Sequence, residues 1–510
     1  MRTRPSVLLL AAALTALPAF APAVSAIAPT ADVAVPLPIV ASSNVELLFT
    51  LPDAAGAFSS AFDPTRPLMY VNTGQGVSIY DTSDPAMPLL TGRLELPHFE
   101  NEGMTLGQRE DGTTFLLIGI DLAGYDIASQ TLSTSGSSFY VADVTDPAAP
   151  FMASFLKVST STHTISCMSV ACDIAWTSGV YGDGEFEVID LSDITAPKVI
   201  GEATNINADS FAVHQWTVDD AGYAVGAGGG GTAVYDYSDP LNPVALNTTN
   251  QLAGESPYND FLQHNADRPH GDRMVAATNA DELAAQMALD FDVMNGNVMV
   301  ITEEDYDNPN CQGTAGVGGA AEGGVSTWGI PYLSAEQHLI DNPDQNGLAG
   351  TIAPLDTWNS ELYDSGIATP AGALCSAHYF DFHDDGFIAQ GWYQQGTRIL
   401  DMRDPADIKQ VGYFIGQVSE TWDAYWAPER DAEGRVTGND TNILYTNDAA
   451  RGVDVLRVTL PETAPAVTSA LVAPILSQWY DAEAFATSTK TGDASLGYMC
   501  RLGSVAAIDL

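Results

Sequence analysis

One phrase recurs along this chain and limits its possible folds more than any other feature. It is a short run of β-branched or aromatic residues, an aspartate, and then a turn of the form Ser/Thr-Asp-Pro-x-x-Pro. It stands at Val77-Ser78-Ile79-Tyr80-Asp81 before Asp84-Pro85 and Pro88, and around Tyr140 to Asp143 before Asp146-Pro147 and Pro150. Further copies are Val188-Ile189-Asp190 before Asp193 and Pro197, Val234-Tyr235-Asp236 before Asp239-Pro240 and Pro243, and Arg398-Ile399-Leu400-Asp401 before Asp404-Pro405. Two weaker copies are Val298-Met299-Val300-Ile301 with Glu303 and Asn308-Pro309, and Gly452-Val453-Asp454-Val455-Leu456. Alternating apolar positions predict half-buried strands. Asp-Pro suits the turn, because Asp bonds the backbone just downstream and Pro fixes φ.

Anchors at 81, 143, 190, 236, 303, 401 and 454 make seven units. The shorter separations fit the roughly 40–50 residues of a four-stranded propeller blade, and the longer ones require insertions. The expected fold is all-β, a seven-bladed β-propeller over 44–458 with a loop insertion at about 311–375 and a C-terminal extension over 459–510. Val45-Glu46-Leu47-Leu48-Phe49 is the candidate for a strand that closes the last blade. Ala280 to Leu289 reads as a short helix.

The 510 residues carry 65 acids against 18 bases, a formal charge of −47. Such a surface repels polyanions and anionic membranes, so no nucleic-acid partner is expected. Arg2 and Arg4 precede an apolar run from Val7 to Leu17, and Val24-Ser25-Ala26 supplies small residues for cleavage. Residues 1–26 therefore read as a secretory signal and 27–43 as a linker. No segment is long and apolar enough to span a bilayer. The expected address is secreted, extracellular or cell surface, the expected state is a monomer, and the expected partner is an extracellular ligand or surface protein. Among five cysteines the expected disulfides are Cys167 with Cys172 and Cys311 with Cys375. A reactive Cys375 near His378 is the alternative.

Gly-Val-Ser-Ile-Tyr-Asp-x-Ser-Asp-Pro, ending at Pro85, and Gly-Thr-Arg-Ile-Leu-Asp-Met-Arg-Asp-Pro, ending at Pro405, resemble the LVIVD repeat of secreted and surface bacterial β-propellers. The resemblance runs roughly from Val45 to Val458 and implies fold and export, with no single activity. A more distant likeness is to selenium-binding propellers, some of them thiol oxidases, but the adjacent cysteine pair of that group is missing here.

Counting back from the anchors brings polar residues to one phase of the repeat. His163, His214 and His378 fall 22 to 27 residues before their anchors, and His264, Glu102 and Asp423 hold the phase in longer units. In the first unit the phase points to Ser59. This is the entry to each innermost strand, where side chains project toward the axis. Four imidazoles with carboxylate support form a ligand set for a divalent transition metal, Zn, Fe, Cu or Mn. Carotenoid-cleaving oxygenases hold iron with four axial histidines on a seven-bladed propeller, an analogy of architecture without a shared motif. The alternative is that these residues line a watered channel and bond to backbone. His98, His270, His338 and His383 fall off the phase and are expected on the surface or in loops. Gly-x-Ser-x-Gly and His-Glu-x-x-His are absent, which removes the commonest hydrolase signatures. Two functions follow: a binding scaffold for an extracellular ligand, or a metal-dependent oxidoreductase or hydrolase with ligands His163, His214, His264 and His378 and with Glu102 or Asp423 as catalytic candidates.

Overall fold

The recurring phrase folds as the third strand of a blade and the turn that leaves it. Asp81, Asp143, Asp190, Asp236 and Asp401 each end such a strand. Each accepts the backbone N–H two residues on, at 2.8–3.1 Å. Asp84, Asp146, Asp193, Asp239 and Asp404 repeat the same bond one turn later. Two successive aspartate turns, stiffened by proline, reverse the chain into the outermost strand.

The structure, a computed structural model, describes residues 39–462 except 52–53, 55, 97–101, 121–124, 127–130, 133–136, 180–183, 206–212, 230, 250–261, 305–323, 334–351, 361–375 and 417–418. The signal segment, Cys311, Cys375, His98, His338 and nearly all of the C-terminal extension lie outside the described residues. Among the described residues, six four-stranded antiparallel sheets and one of five strands form the blades. Blades 1 to 6 span 57–95, 104–157, 164–204, 213–248, 262–358 and 380–415, and blade 7 spans 421–458. Val45–Leu51 completes blade 7, pairing antiparallel with Gly452–Val458 from Val45 opposite Val458 to Leu51 opposite Val453. Val40–Ala41 adds a fifth strand to the outer edge of blade 6, and blade 2 carries a small hairpin of Tyr125–Asp126 with Thr131–Leu132.

First strands of neighbouring blades touch from blade 6 through blades 7 and 1 to blade 5, so they line the axis. The fourth strands Leu89–Glu95 and Lys198–Thr204 are largely exposed. Seven apolar clusters lie one at each blade interface. Burial between blades drives the ring together, and the Asp-Pro turns lock it. Turns abut the blade before them: Ser154 of blade 2 donates to the carbonyl of Ile194 in the turn of blade 3 at 2.6 Å, and Tyr445 of blade 7 to that of Pro85 in the turn of blade 1 at 2.7 Å. At Gly92 the turn of blade 2 comes so close that a Cβ would lie 1.9 Å from the Pro147 oxygen.

Blade 5 departs from the sequence reading. Val298–Glu304 is its second strand, not its third. The third and fourth, Val325–Gly329 and Ala353–Trp358, fall inside the stretch expected to be an insertion. Both middle strands of a blade are buried on two faces, so an apolar run does not reveal which of them it is. The expected helix forms as Ala280–Gln286, where the side chain of Asn279 accepts the N–H groups of Asp281 and Glu282. Cys167 and Cys172 are bonded in blade 3. Among the described residues no helix is long and apolar enough to cross a membrane.

Candidate metal centre

Each innermost strand enters the channel at the same rim. Glu102 stands two residues before Met104–Gln108, His163 one before Thr164–Cys167, and His378 two before Phe380–His383. His214 and His264 lie within Val213–Val218 and Leu262–Asp267. Strand pairing skips both: Val213 opposes Gly228 and Gln215 opposes Ala227, while Gln263 opposes Glu303 and Asn265 opposes Thr302. Such a bulge re-aims a side chain that a regular strand would point elsewhere.

In blades 1 and 7 the skipped residues are Phe58 and Trp422. They, not Ser59 and Asp423, occupy the equivalent position, so counting backward arrives one residue late there. Rings follow the rim from blade to blade. Centroid separations are 4.7 Å for Phe58–Trp422, 4.9 Å for Trp422–His378, 4.1 Å for His378–His264, 4.0 Å for His264–His214 and 4.7 Å for His214–His163. Blade 2 supplies the one non-aromatic member, Glu102.

The carboxylate of Glu102 reaches all four imidazoles. Its Oε2 lies 2.5 Å from His163 Nε2 and 2.9 Å from His214 Nε2, and its Oε1 lies 2.6 Å from His378 Nε2 and 3.3 Å from His264 Nε2. All five side chains are buried. Two Nδ1 atoms are tied to backbone carbonyls of the next blade, His214 to His264 at 2.8 Å and His378 to Trp422 at 2.9 Å. Burial opposes ionisation of Glu102, but the four imidazoles outweigh it and hold the carboxyl well below its ordinary range. Burial also pushes His214 down, against the pull of Glu102, and pushes His264 well down, aided by repulsion from His214 and His378. At His378 the attraction of Glu102, Glu304 and Asp423 overcomes burial and raises it.

Glu304, absent from the sequence reading, approaches from the end of the second strand of blade 5, with Oε2 3.5 Å from His264 Nε2 and Oε1 3.8 Å from His378 Nε2. The Tyr393 hydroxyl donates to its Oε1. Tyr379 packs on His264 at 4.5 Å and on His378 at 4.7 Å. Neither tyrosine nor Glu304 shares the repeat phase, so spacing carries no signal for them. His383 is a correction: it is buried at the far end of the innermost strand of blade 6, against Trp426 and beside Asp384, because that strand's last residue still faces the interface with blade 7. His270 lies in a loop, as expected.

Asp423 lies within electrostatic reach of His378. Its Oδ2 accepts the Tyr425 hydroxyl, while its Oδ1 is buried without a hydrogen-bond partner among the described residues. Burial pushes its carboxyl up to about 8. The native state therefore keeps a proton that the unfolded chain releases near pH ~4. Its contribution to stability is fully present below that pH and is lost as pH rises through about 8. Asp423→Asn is expected to remove a decline of at most about 5 kcal/mol between pH ~4 and ~8, read by urea denaturation across that range. Equal slopes in the two proteins would contradict it.

No protein-family profile matches the chain, and no curated protein sequence does. Among solved structures it is similar to the β-propeller domain of Cps50 (Swd1) from Myceliophteria thermophila, with 11% identity and a TM-score of 0.48, covering 81% of this chain and 100% of that one.

Proposed function

We propose that the rim binds a divalent transition metal, Zn, Fe, Cu or Mn, and that the chain is a metal-dependent enzyme, an oxidoreductase or a hydrolase. A conflict between acceptors carries this reading. The Nδ1 atoms of His214 and His378 face backbone carbonyls, which can only accept, so each Nδ1 bears the proton. A neutral imidazole then has a lone pair on Nε2, and both lone pairs face oxygens of Glu102 at 2.9 and 2.6 Å. A cation belongs between them. Protons would create two imidazolium ions on one buried carboxylate, with desolvation opposing each and overcome only at His378. Metal coordination satisfies such lone pairs, and an Nδ1–H to a carbonyl is the usual outer support of a ligating histidine.

When bound, such an ion supplies Lewis acidity and, for Fe or Cu, electron transfer. The chain's own residues do the rest. Glu102 stays ionised as the anionic donor, and the two Nδ1–H bonds hold the tautomer and ring direction. Asp423, protonated at neutral pH, is the group placed to give up a proton. Phe58, Trp422 and Tyr379 exclude bulk water. The scaffold reading gives way because presenting loops to a partner requires no buried carboxylate among four imidazoles. The repeat phrases support an LVIVD-type propeller. The leader features and the Cys167–Cys172 bridge support a secreted or cell-surface address.

The test is elemental analysis of protein purified without chelator, beside a His214→Ala/His378→Ala variant. Metal in the parent, absent from a variant with an unchanged far-UV spectrum, is the expected result. A parent that carries no metal and takes up neither Zn²⁺ nor Mn²⁺ overturns the reading.

A further inference from the structure

The geometry points to a centre for two metal ions bridged by Glu102, one held by His163 and His214 and the other by His264, His378 and Glu304. This rests on the metal reading above and goes further in number and arrangement. Three observations carry it.

The first is how the carboxylate divides its partners. Oε2 of Glu102 pairs with His163 and His214, and Oε1 with His264 and His378. A carboxylate that spends one oxygen on each of two imidazole pairs has the form of a bridge. Two ligands held at about 2.1 Å from one ion, at right angles or tetrahedrally, lie about 3.0–3.4 Å apart. The N···O separations of 2.5–3.3 Å need little adjustment to admit an ion within each pair.

The second is that the donors form overlapping clusters. Ligand atoms lying within 4.8 Å of one another fall into overlapping sets, Glu102 with His214 and His264, and His264 with Glu304 and His378. Donors to a single ion cannot lie more than about 4.2 Å apart, twice the bond length. His264 stands where the sets meet, its ring 4.0 Å from that of His214 and 4.1 Å from that of His378.

The third is charge. One carboxylate balances only a quarter of the charge of two divalent ions, and Glu304 brings a second to the His264–His378 side, held there by the Tyr393 hydroxyl. Paired ions sharing ligands lie about 3.5–4 Å apart and clamp two oxygens of a reacting group. That spacing suits substrates offering two oxygens, such as phosphate esters or carboxylates.

The experiment is a titration of the metal-free full chain with Co²⁺, followed by visible absorption, which reports ligation by imidazole and ignores ions loosely held by the acidic surface. High salt suppresses that loose binding further. The expected result is two equivalents for the parent and one for His163→Ala. One equivalent in the parent overturns the two-ion centre and leaves the metal reading standing; none overturns both. Two or none in His163→Ala, with an intact far-UV spectrum, overturns the division into half-sites. If that variant fails to fold, the parent stoichiometry decides alone.

Discussion

A Glu102→Gln chain is expected to fold and to lose its metal. Glutamine keeps the shape, and its amide N–H can donate to the Nε2 lone pair of His214 or of His378, so the apo rim keeps a hydrogen bond there. The anionic charge that gathers four Nε2 atoms within 3.3 Å is gone. Outer-shell partners of metal ligands are each worth 10- to 100-fold in affinity, so loss of a direct ligand is expected to cost at least about 100-fold. Competition with a chromophoric chelator reads the affinity, and an unchanged value would make Glu102 a bystander. The acid limb of stability moves as well. Glu102 is held well below its ordinary range, so its contribution is present above pH ~4.3 and is lost as pH falls through its native value. The variant lacks that loss, and its urea midpoint should fall less than the parent's under acid.

Arg268→Met is expected to produce the largest loss of stability outside the rim. Arg268 follows the innermost strand of blade 5 and is fully buried. Its Nε and Nη2 donate to Asp219 Oδ2 at 2.8 and 2.5 Å, and its Nη1 donates to the carbonyls of Met274 and Gly296 at 2.8 and 3.0 Å. Asp219 closes the corresponding turn of blade 4, where its Oδ1 accepts the N–H groups of Ala221 and Tyr223. Methionine fills much of the volume but strands a buried carboxylate and two carbonyls, at a cost of about 3–5 kcal/mol. Urea denaturation of the apo protein measures it. Adding Asp219→Asn should recover part of the loss, and a double variant no better than the single would show that packing, not charge, is at fault.

The propeller was legible because its turn chemistry is local: an aspartate that bonds two residues ahead and a proline that fixes φ announce themselves in any copy. The closing strand, Val45–Leu51, was legible for a related reason, since a ring of seven copies lacks one outer strand and the chain before the first copy offers one. Blade 5 was not. Glu303 was read as an anchor because Val298–Ile301 has the apolar character shared by second and third strands, and the true outer strands are short runs among glycine- and asparagine-rich stretches. At the rim, His163, His214, His264 and His378 could be found because equivalent positions recur. The bulges at Phe58 and Trp422 could not, since an irregularity of pairing leaves no residue signature. Glu304 and Tyr393 arrive through the fold alone.

The pairing of Val45–Leu51 with Gly452–Val458 has a consequence for biogenesis. Glu46 and Arg457, 411 residues apart in sequence, meet across that seam at 3.0 Å. Closure therefore waits until almost the whole described chain is available, and contacts so distant form late and slowly. Until then the molecule is an open arc with a bare strand edge on blade 7 and an unpaired apolar segment at its start, the kind of intermediate that captures a second copy of itself. Aggregation during refolding should therefore depend on how long this single seam stays open.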